Sequence, residues 1–437
     1  MLPLQGVPYG PGRARGVLRR GGPGAADRVL LLTHAELCRL QGTPAAILVV
    51  GAAPLSHRML RLIGAGIPTL LLTPAQAEEL EEGREVTVDG DRGLLLEAGA
   101  AASVAPEAVC PPPRPGAPVL SADGQAVCLR ASVPGAAGAE QALANGAEAI
   151  GLVRSEYLEP GGGLAPDAAF YATALAGLCR AAHPLRVTLR LPDFSEDKRP
   201  SWFPADLPLA PLGLQGVRLY GREPVRTVLG ALLEAVGPVA QAFDLSLLLP
   251  FVSRPEEYRR WRGEIEALLP APIAVGVMVE TPAAALEIPE WLLLADFVCV
   301  GCNDLMQGLY GADRNLPEVG HLLDPHAPAT FRFLHRLAEQ AGEAAAGVQL
   351  CGLLPQAPGV LPVLLGLGFR AFSVEPRLIP ALARTVARTD CGMAETLARG
   401  VCAEPDAESA RALLGLPRAA GWGVGAAGGI QEPLSPT

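Results

Sequence analysis

The stretch Gly276–Arg314, GVMVETPAAALEIPEWLLLADFVCVGCNDLMQGLYGADR, decides the reading of the chain. With the three residues before it, it contains two apolar runs, Ile273–Val279 and Asp296–Gly301, that read as buried strands. Each ends in polar groups: Glu280-Thr281-Pro282 after the first, Asn303-Asp304 and then Asp313-Arg314 after the second. Near-continuous apolar strands with acids at their C-terminal ends are the pattern of a parallel α/β barrel, whose chemistry sits at that rim. Two carboxylates at neighbouring strand ends, with an amide beside them, suit a hard divalent cation such as Mg²⁺.

Working outward, strands and helices alternate from Ala126 onward. The candidate strands are Ala126–Arg130, Ala149–Val153, Arg186–Leu191, Gly216–Tyr220, Leu245–Pro250, Ile273–Val279, Asp296–Gly301, Val348–Cys351 and Ala371–Val374. Helical stretches fall between them, among them Glu140–Ala144, Ala168–Ala182, Pro224–Ala235, Pro255–Leu268 and Pro328–Ala344. This alternation predicts an α/β fold with a (β/α)8 TIM barrel, and nine candidates compete for eight places.

Upstream, residues 1–100 read as a small β/α domain. Strands are expected at Arg28–Leu32, Ala45–Val50 and Thr69–Leu72, with a hairpin over Val86–Leu96. Ser56-His57 stand at the start of a helical stretch. Residues 101–122, rich in proline and alanine, read as a semi-rigid linker, with the barrel over 123–415 and a Gly/Pro-rich flexible tail over 416–437.

Composition bounds the function. The net charge of −10 argues against nucleic acid as a partner. No apolar run is long enough to cross a membrane, and the N-terminus lacks the apolar core of a signal peptide, so the expected location is the cytoplasm. The nine cysteines are scattered, which fits a reducing compartment. Of the 35 basic residues a single one is lysine, Lys198, a site where a compact ammonium replaces the planar guanidinium used everywhere else.

Polar residues gather at the expected C-terminal strand ends: Arg154 with Glu156, Arg190 with Asp193 and Lys198, Arg218, Glu280, Asn303 with Asp304, Arg314 a little beyond, and Cys351. Several arginines on one rim suit a substrate carrying phosphate and carboxylate, which match the guanidinium fork. A thiol there can exchange a proton with carbon. His57, at a helix N-terminus, has the setting of a phosphate carrier, since imidazole is nucleophilic and the helix end stabilises the anion. Each residue also has an ordinary structural reading; their common position at strand ends is what sets them apart.

These residues lie in motifs that resemble the phosphoenolpyruvate-utilising enzymes, and among them enzyme I of the bacterial phosphotransferase system. The motifs are GLVRSEYL (family GLFRTEFL), RLPDFSEDK (RTLDIGGDK), LGLQGVR (LGWRAIR), GVMVETPAA (GIMVETPAA), VGCNDLMQGLYGADR (IGTNDLTQYTLAVDR) and CGLL (CGEL). The resemblance implies that Glu280 and Asp304 bind Mg²⁺ and that Asn303 contacts the phosphate. It implies that Arg154, Arg190 and Arg314 clamp phosphoenolpyruvate, with Arg218 and Lys198 nearby, and that Cys351 protonates the enolate to give pyruvate. His57 is then the phosphohistidine of a swivelling domain, and a homodimer and a protein acceptor of unknown identity are expected.

Departures from the pattern keep two other readings open: a phosphoenolpyruvate-binding regulatory protein, and a barrel acting alone as a lyase or hydrolase. Around His57 the family has GGxTSHxAIxAR, whereas this chain has Ala52, Ala53, Leu55 and Ile63 in place of the two glycines, the threonine and the arginine. Gln215, Leu353 and Ser195-Glu196 replace an arginine, a glutamate and a Gly-Gly pair in the other motifs. The helical domain that docks the HPr carrier in enzyme I, and the ATP-grasp domain of pyruvate phosphate dikinase, have no counterpart in the sequence.

Overall fold

A computed structural model describes residues 3–51, 54–97, 112–196, 199–210 and 212–416. The chain divides into two compact units. The described residues up to 97 and the segment Ala312–Asp324 group together, and the described residues from 112 to 311 with Pro325–Leu416 form the second unit. Among the described residues no helix is long and apolar enough to cross a membrane.

In the second unit eight parallel strands close on themselves. In chain order they are Ala126–Val133, Ile150–Arg154, Val187–Arg190, Leu245–Leu249, Val275–Val279, Val298–Gly301, Gln349–Cys351 and Ala371–Val374. Each pairs with the next, and the first pairs with both the second and the eighth, which closes the barrel. The fourth, fifth and sixth strands are buried on both faces, as helices outside and side chains inside require. This is the TIM barrel that the alternation predicts.

The surplus candidate is Gly216–Tyr220. Gly216–Leu219 forms a 3-10 turn, opened by Gly216 at a φ of 51°, where extended backbone is impossible. Arg218 therefore stands on that turn and not at a strand end. Every later strand moves up one place: Glu280 follows the fifth, Asn303 and Asp304 the sixth, and Cys351 ends the seventh. The linker reading of 101–122 also needs correction. Val119–Leu120 pairs antiparallel with Ala126–Val127, and the Gly116 N–H donates to the Ala147 carbonyl at 2.9 Å. The barrel unit thus starts before residue 123. Lys198, most of the linker and the tail beyond residue 416 lie outside the described residues.

Helix starts fall where local chemistry puts them. Asp167 caps Ala168–Ala182 by accepting the Phe170 N–H at 2.8 Å. Pro255 opens Pro255–Leu268 at the first helical position, where its missing N–H costs nothing. Trp291, fully buried, locks the short helices after the fifth strand by donating Nε1–H to the Ala284 carbonyl at 2.7 Å.

The first unit is an eight-stranded sheet. Its parallel centre, Arg13–Arg20, Arg28–Thr33, Ala46–Val50 and Thr69–Leu72, is flanked by antiparallel strands, including the expected hairpin Glu85–Asp89 and Leu94–Glu97. Leu18, Val29, Leu48, Leu70 and Val88 share its core. The helix His57–Gly64 follows the third of the parallel strands.

Candidate active site

The fifth barrel strand stops at Val279 because Thr281 caps a new helix. Its hydroxyl accepts the Ala284 N–H at 3.2 Å, and Pro282 takes the first helical position. Glu280 is left in the turn, 2 % exposed. Its Oε1 accepts the Phe251 N–H at 2.6 Å, a donor aimed by Phe251's left-handed backbone (φ 54°). A Cβ on Gly301 would meet Glu280 Oε2 at 2.6 Å, so glycine at the end of the sixth strand is what leaves the carboxylate its place.

Asp304 sits in the first turn of the helix Cys302–Tyr310, where the helix N-terminus favours a negative charge. Burial, then the charge of Asp304, then that of Asp193 push the Glu280 carboxyl well above its usual range; Arg190 and the Phe251 N–H pull the other way. A pocket that sets carboxylates against one another in this way is short of positive charge. Among the described residues no third His, Cys, Asp or Glu joins them as a metal ligand. Two carboxylates with remaining positions open to water and substrate oxygens are nonetheless a usual Mg²⁺ donor set.

Arg190, at the end of the third strand, is 4 % exposed, and its Nη2 is shared between Glu156 and Asp193 Oδ2, the latter at 3.0 Å. Its Nη1 points at Met278 Sδ, 3.8 Å away, and its buried Nε has no hydrogen-bond partner among the described residues. Burial disfavours the guanidinium charge, but Glu156, Asp193, Glu280 and Asp304 outweigh it and hold Arg190 firmly protonated. Two internal carboxylates thus already hold the arginine that the resemblance makes a substrate clamp. Tyr220, buried among the same charges with its hydroxyl unpartnered among the described residues, belongs to the cluster too. Sequence reading missed it by placing it in a strand.

Arg218 donates from Nη2 to Ser253 Oγ at 3.0 Å and stacks over the Phe251 ring, 4.7 Å from its centre. Asn303 Oδ1 accepts the Leu353 N–H at 3.0 Å, which ties the sixth strand's end to the loop after Cys351. Cys351 is buried, and Gln349 Nε2 donates to its sulfur at 3.2 Å and to Cys299 at 3.3 Å. A hydrogen bond from the Cys299 thiol, the Gln349 amide, and the charges of Arg154 and Arg130 hold the Cys351 thiol below its ordinary range against the effect of burial. The same sharing and burial push Cys299 up. Arg154, half-buried at the end of the second strand, makes no hydrogen bond or ion pair among the described residues.

The barrel unit therefore brings together Glu280, Asp304, Arg190, Asn303, Arg218, Arg154 and Cys351 at its C-terminal rim. Two expected site residues stand in the other unit. Arg314, 6 % exposed, lies in the segment Ala312–Asp324, and His57 is the first residue of the helix His57–Gly64. The cap of that helix, Ser56, accepts the Met59 N–H at 3.4 Å, and its Oγ lies 2.8 Å from Nε2 of the buried His34. Burial, then the charge of Arg58, lower His34 to about 4, with Glu318 opposing.

Comparison with known proteins identifies the family. The family profile "PEP-utilising enzyme, PEP-binding domain" matches residues 115–391. A phosphoenolpyruvate-protein phosphotransferase of Cupriavidus necator is 34% identical over 319 residues, 68% of this chain and 53% of that protein. One from Streptomyces coelicolor is 32% identical over 372 residues, 82% of this chain and 66% of that protein. One from Haloferax volcanii is 30% identical over 396 residues, 84% of this chain and 68% of that protein. The chain spans about half the length of the Cupriavidus relative. The chain belongs to the phosphoenolpyruvate-utilising enzymes.

Proposed function

We propose that this protein moves the phosphoryl group of phosphoenolpyruvate onto His57 and releases pyruvate. The observation that carries the reading is the convergence of Glu280, Asp304 and Arg190 on one rim of the barrel that matches the PEP-binding family. Glu280 and Asp304 hold Mg²⁺, which when bound neutralises charge on the substrate oxygens. Arg154, Arg190, Arg218 and Arg314, with Lys198 and Asn303, bind the phosphate and carboxylate.

In the transfer, a His57 ring nitrogen attacks phosphorus as the phosphorus–oxygen bond to the enol breaks. The enolate carbon C3 then takes the proton of the Cys351 thiol, leaving a thiolate that solvent reprotonates. A thiol held below its ordinary range gives up that proton more readily. Residues 1–100 act as the swivelling carrier, the barrel that begins ahead of residue 123 takes the substrate, and a protein accepts the phosphate from His57. The protein works as a cytoplasmic homodimer.

A second reading, binding without transfer, is favoured by one observation. Leu55 and Ile63, where the family carries threonine and arginine beside its histidine, are core residues here, 1 % and 4 % exposed. Mixing the protein with phosphoenolpyruvate and Mg²⁺, without any acceptor, separates the readings. Transfer gives a burst of pyruvate, about one equivalent per chain, that His57→Ala abolishes. Binding alone gives no pyruvate. Continuous release unaffected by His57→Ala points to a barrel acting alone.

A further inference from the structure

Glu375 plays no part in the chemistry above, yet it stands among the groups that carry it. It directly follows the eighth strand, Ala371–Val374, and so lies on the C-terminal rim. Strand alternation puts Glu375 on the face of Ser373. That face is the barrel interior. Ser373 Oγ meets Ser132 Oγ at 2.9 Å, and a Cβ on Gly151 of the second strand would touch both Ser373 Oγ (2.8 Å) and Gln349 Oε1 (2.9 Å) of the seventh.

The position is fixed from two sides. The Glu375 N–H donates to Gln356 Oε1 at 3.0 Å, and Gln356 Nε2 donates to the carbonyl of Gly352, next to Cys351, at 2.6 Å. One amide thus ties the rims of the seventh and eighth strands. The charged groups that act on the carboxyl are Arg154 from the second strand and Arg377 from the following turn; on the neighbouring strand Cys351 lies opposite Ser373, two residues before Glu375. Arg154 acts electrostatically on both Glu375 and Cys351 and has no other partner among the described residues. Burial lifts the Glu375 carboxyl to about 7, against the pull of Arg154 and Arg377.

We propose that Glu375 is a specificity residue of the substrate site: its carboxylate occupies the field of Arg154, and it takes up a proton when a phosphate- and carboxylate-bearing anion binds there. The proposal rests on the reading of this barrel as a phosphoenolpyruvate site. A half-buried guanidinium carries one charge. Arg377 is exposed and screened by water, so setting both Glu375 and the substrate anion against Arg154 leaves a buried negative charge uncompensated. The carboxylate relieves this by taking one proton from solvent to become the neutral acid. Anion affinity is then insensitive to pH in acid solution and weakens by up to about tenfold per pH unit above neutrality.

The test is calorimetric titration of phosphoenolpyruvate into the full chain with Mg²⁺ at pH 8, in two buffers of different ionisation enthalpy, with His57→Ala present throughout so that binding is read without phosphoryl transfer. There the substrate phosphate, whose second pKa is about 6, is already ionised. The expected result is uptake of about one proton per substrate where Glu375 is kept. For Glu375→Gln uptake near zero is expected, with about tenfold tighter binding at pH 8 and none of that gain at pH 6. Glu375→Asp, which keeps the acid, retains uptake. Binding without uptake where Glu375 is kept, or uptake that persists in Glu375→Gln, overturns the proposal. Absence of binding at any pH overturns the phosphoenolpyruvate reading and this proposal with it.

Discussion

At the residue scale, Glu280 shows how much of a site is made by what surrounds its acids. The Phe251 N–H, Thr281 with Pro282, and the missing Cβ of Gly301 each restrict where that carboxylate can lie. Gly301→Ala is therefore expected to leave the fold intact but to displace Glu280, weakening Mg²⁺ binding about 10–100-fold. A Mg²⁺ titration of pyruvate formation, alongside circular dichroism, checks this. The acid itself was legible, since ETP after an apolar run marks a strand end and a helix start. The Phe251 backbone was not, because a left-handed phenylalanine is imposed by its surroundings and leaves no local signal. Glu375 was half legible. The alternation of Ala371, Ser373 and Glu375 puts all three on one face, but nothing in the sequence says that Arg154 stands opposite.

At the element scale, the buried triad Glu156–Arg190–Asp193 joins the ends of the second and third strands. Its worth lies in completeness, because removing one partner strands a charge in the interior. Glu156→Gln is expected to cost on the order of 3–5 kcal/mol of barrel stability, read as a lower urea midpoint at unchanged slope. An unchanged midpoint would show that Asp193 alone satisfies the arginine. The sequence placed these charges at strand ends but offered no way to see them pairing with each other. The turn Gly216–Leu219 was misread for a related reason. Four residues with a buried apolar pattern look alike as strand or 3-10 turn, and only closure of eight strands elsewhere shows which is surplus.

At the scale of the whole molecule, the two units respond to pH in opposite directions. Glu375, lifted from the ordinary 4.5 to about 7, binds its proton more tightly folded than unfolded. Its contribution to barrel stability is full below pH 4.5 and is lost as pH rises to about 7, on the order of 3 kcal/mol in all. Glu375→Gln should accordingly raise the melting temperature at pH 8 by several degrees and change it little at pH 4. His34, lowered from 6.5 to about 4, works the other way. Its contribution is present above pH 6.5 and is lost as acid protonates the unfolded chain first, so the first unit weakens between about pH 6.5 and 4. The barrel was legible from the six ordered motifs, with strand–helix alternation in support, because both are properties of the chain. The grouping of Arg314 with the first unit was not, since it depends on where one excursion folds back.

The central claim is that His57 carries the phosphoryl group. Incubation with ³²P-phosphoenolpyruvate and Mg²⁺, followed by peptide mapping under alkaline conditions that preserve phosphohistidine, tests it most directly. The account predicts acid-labile label on the peptide containing His57, lost in His57→Ala and sharply reduced in Glu280→Gln. Unlabelled protein, or label that survives His57→Ala, would contradict it.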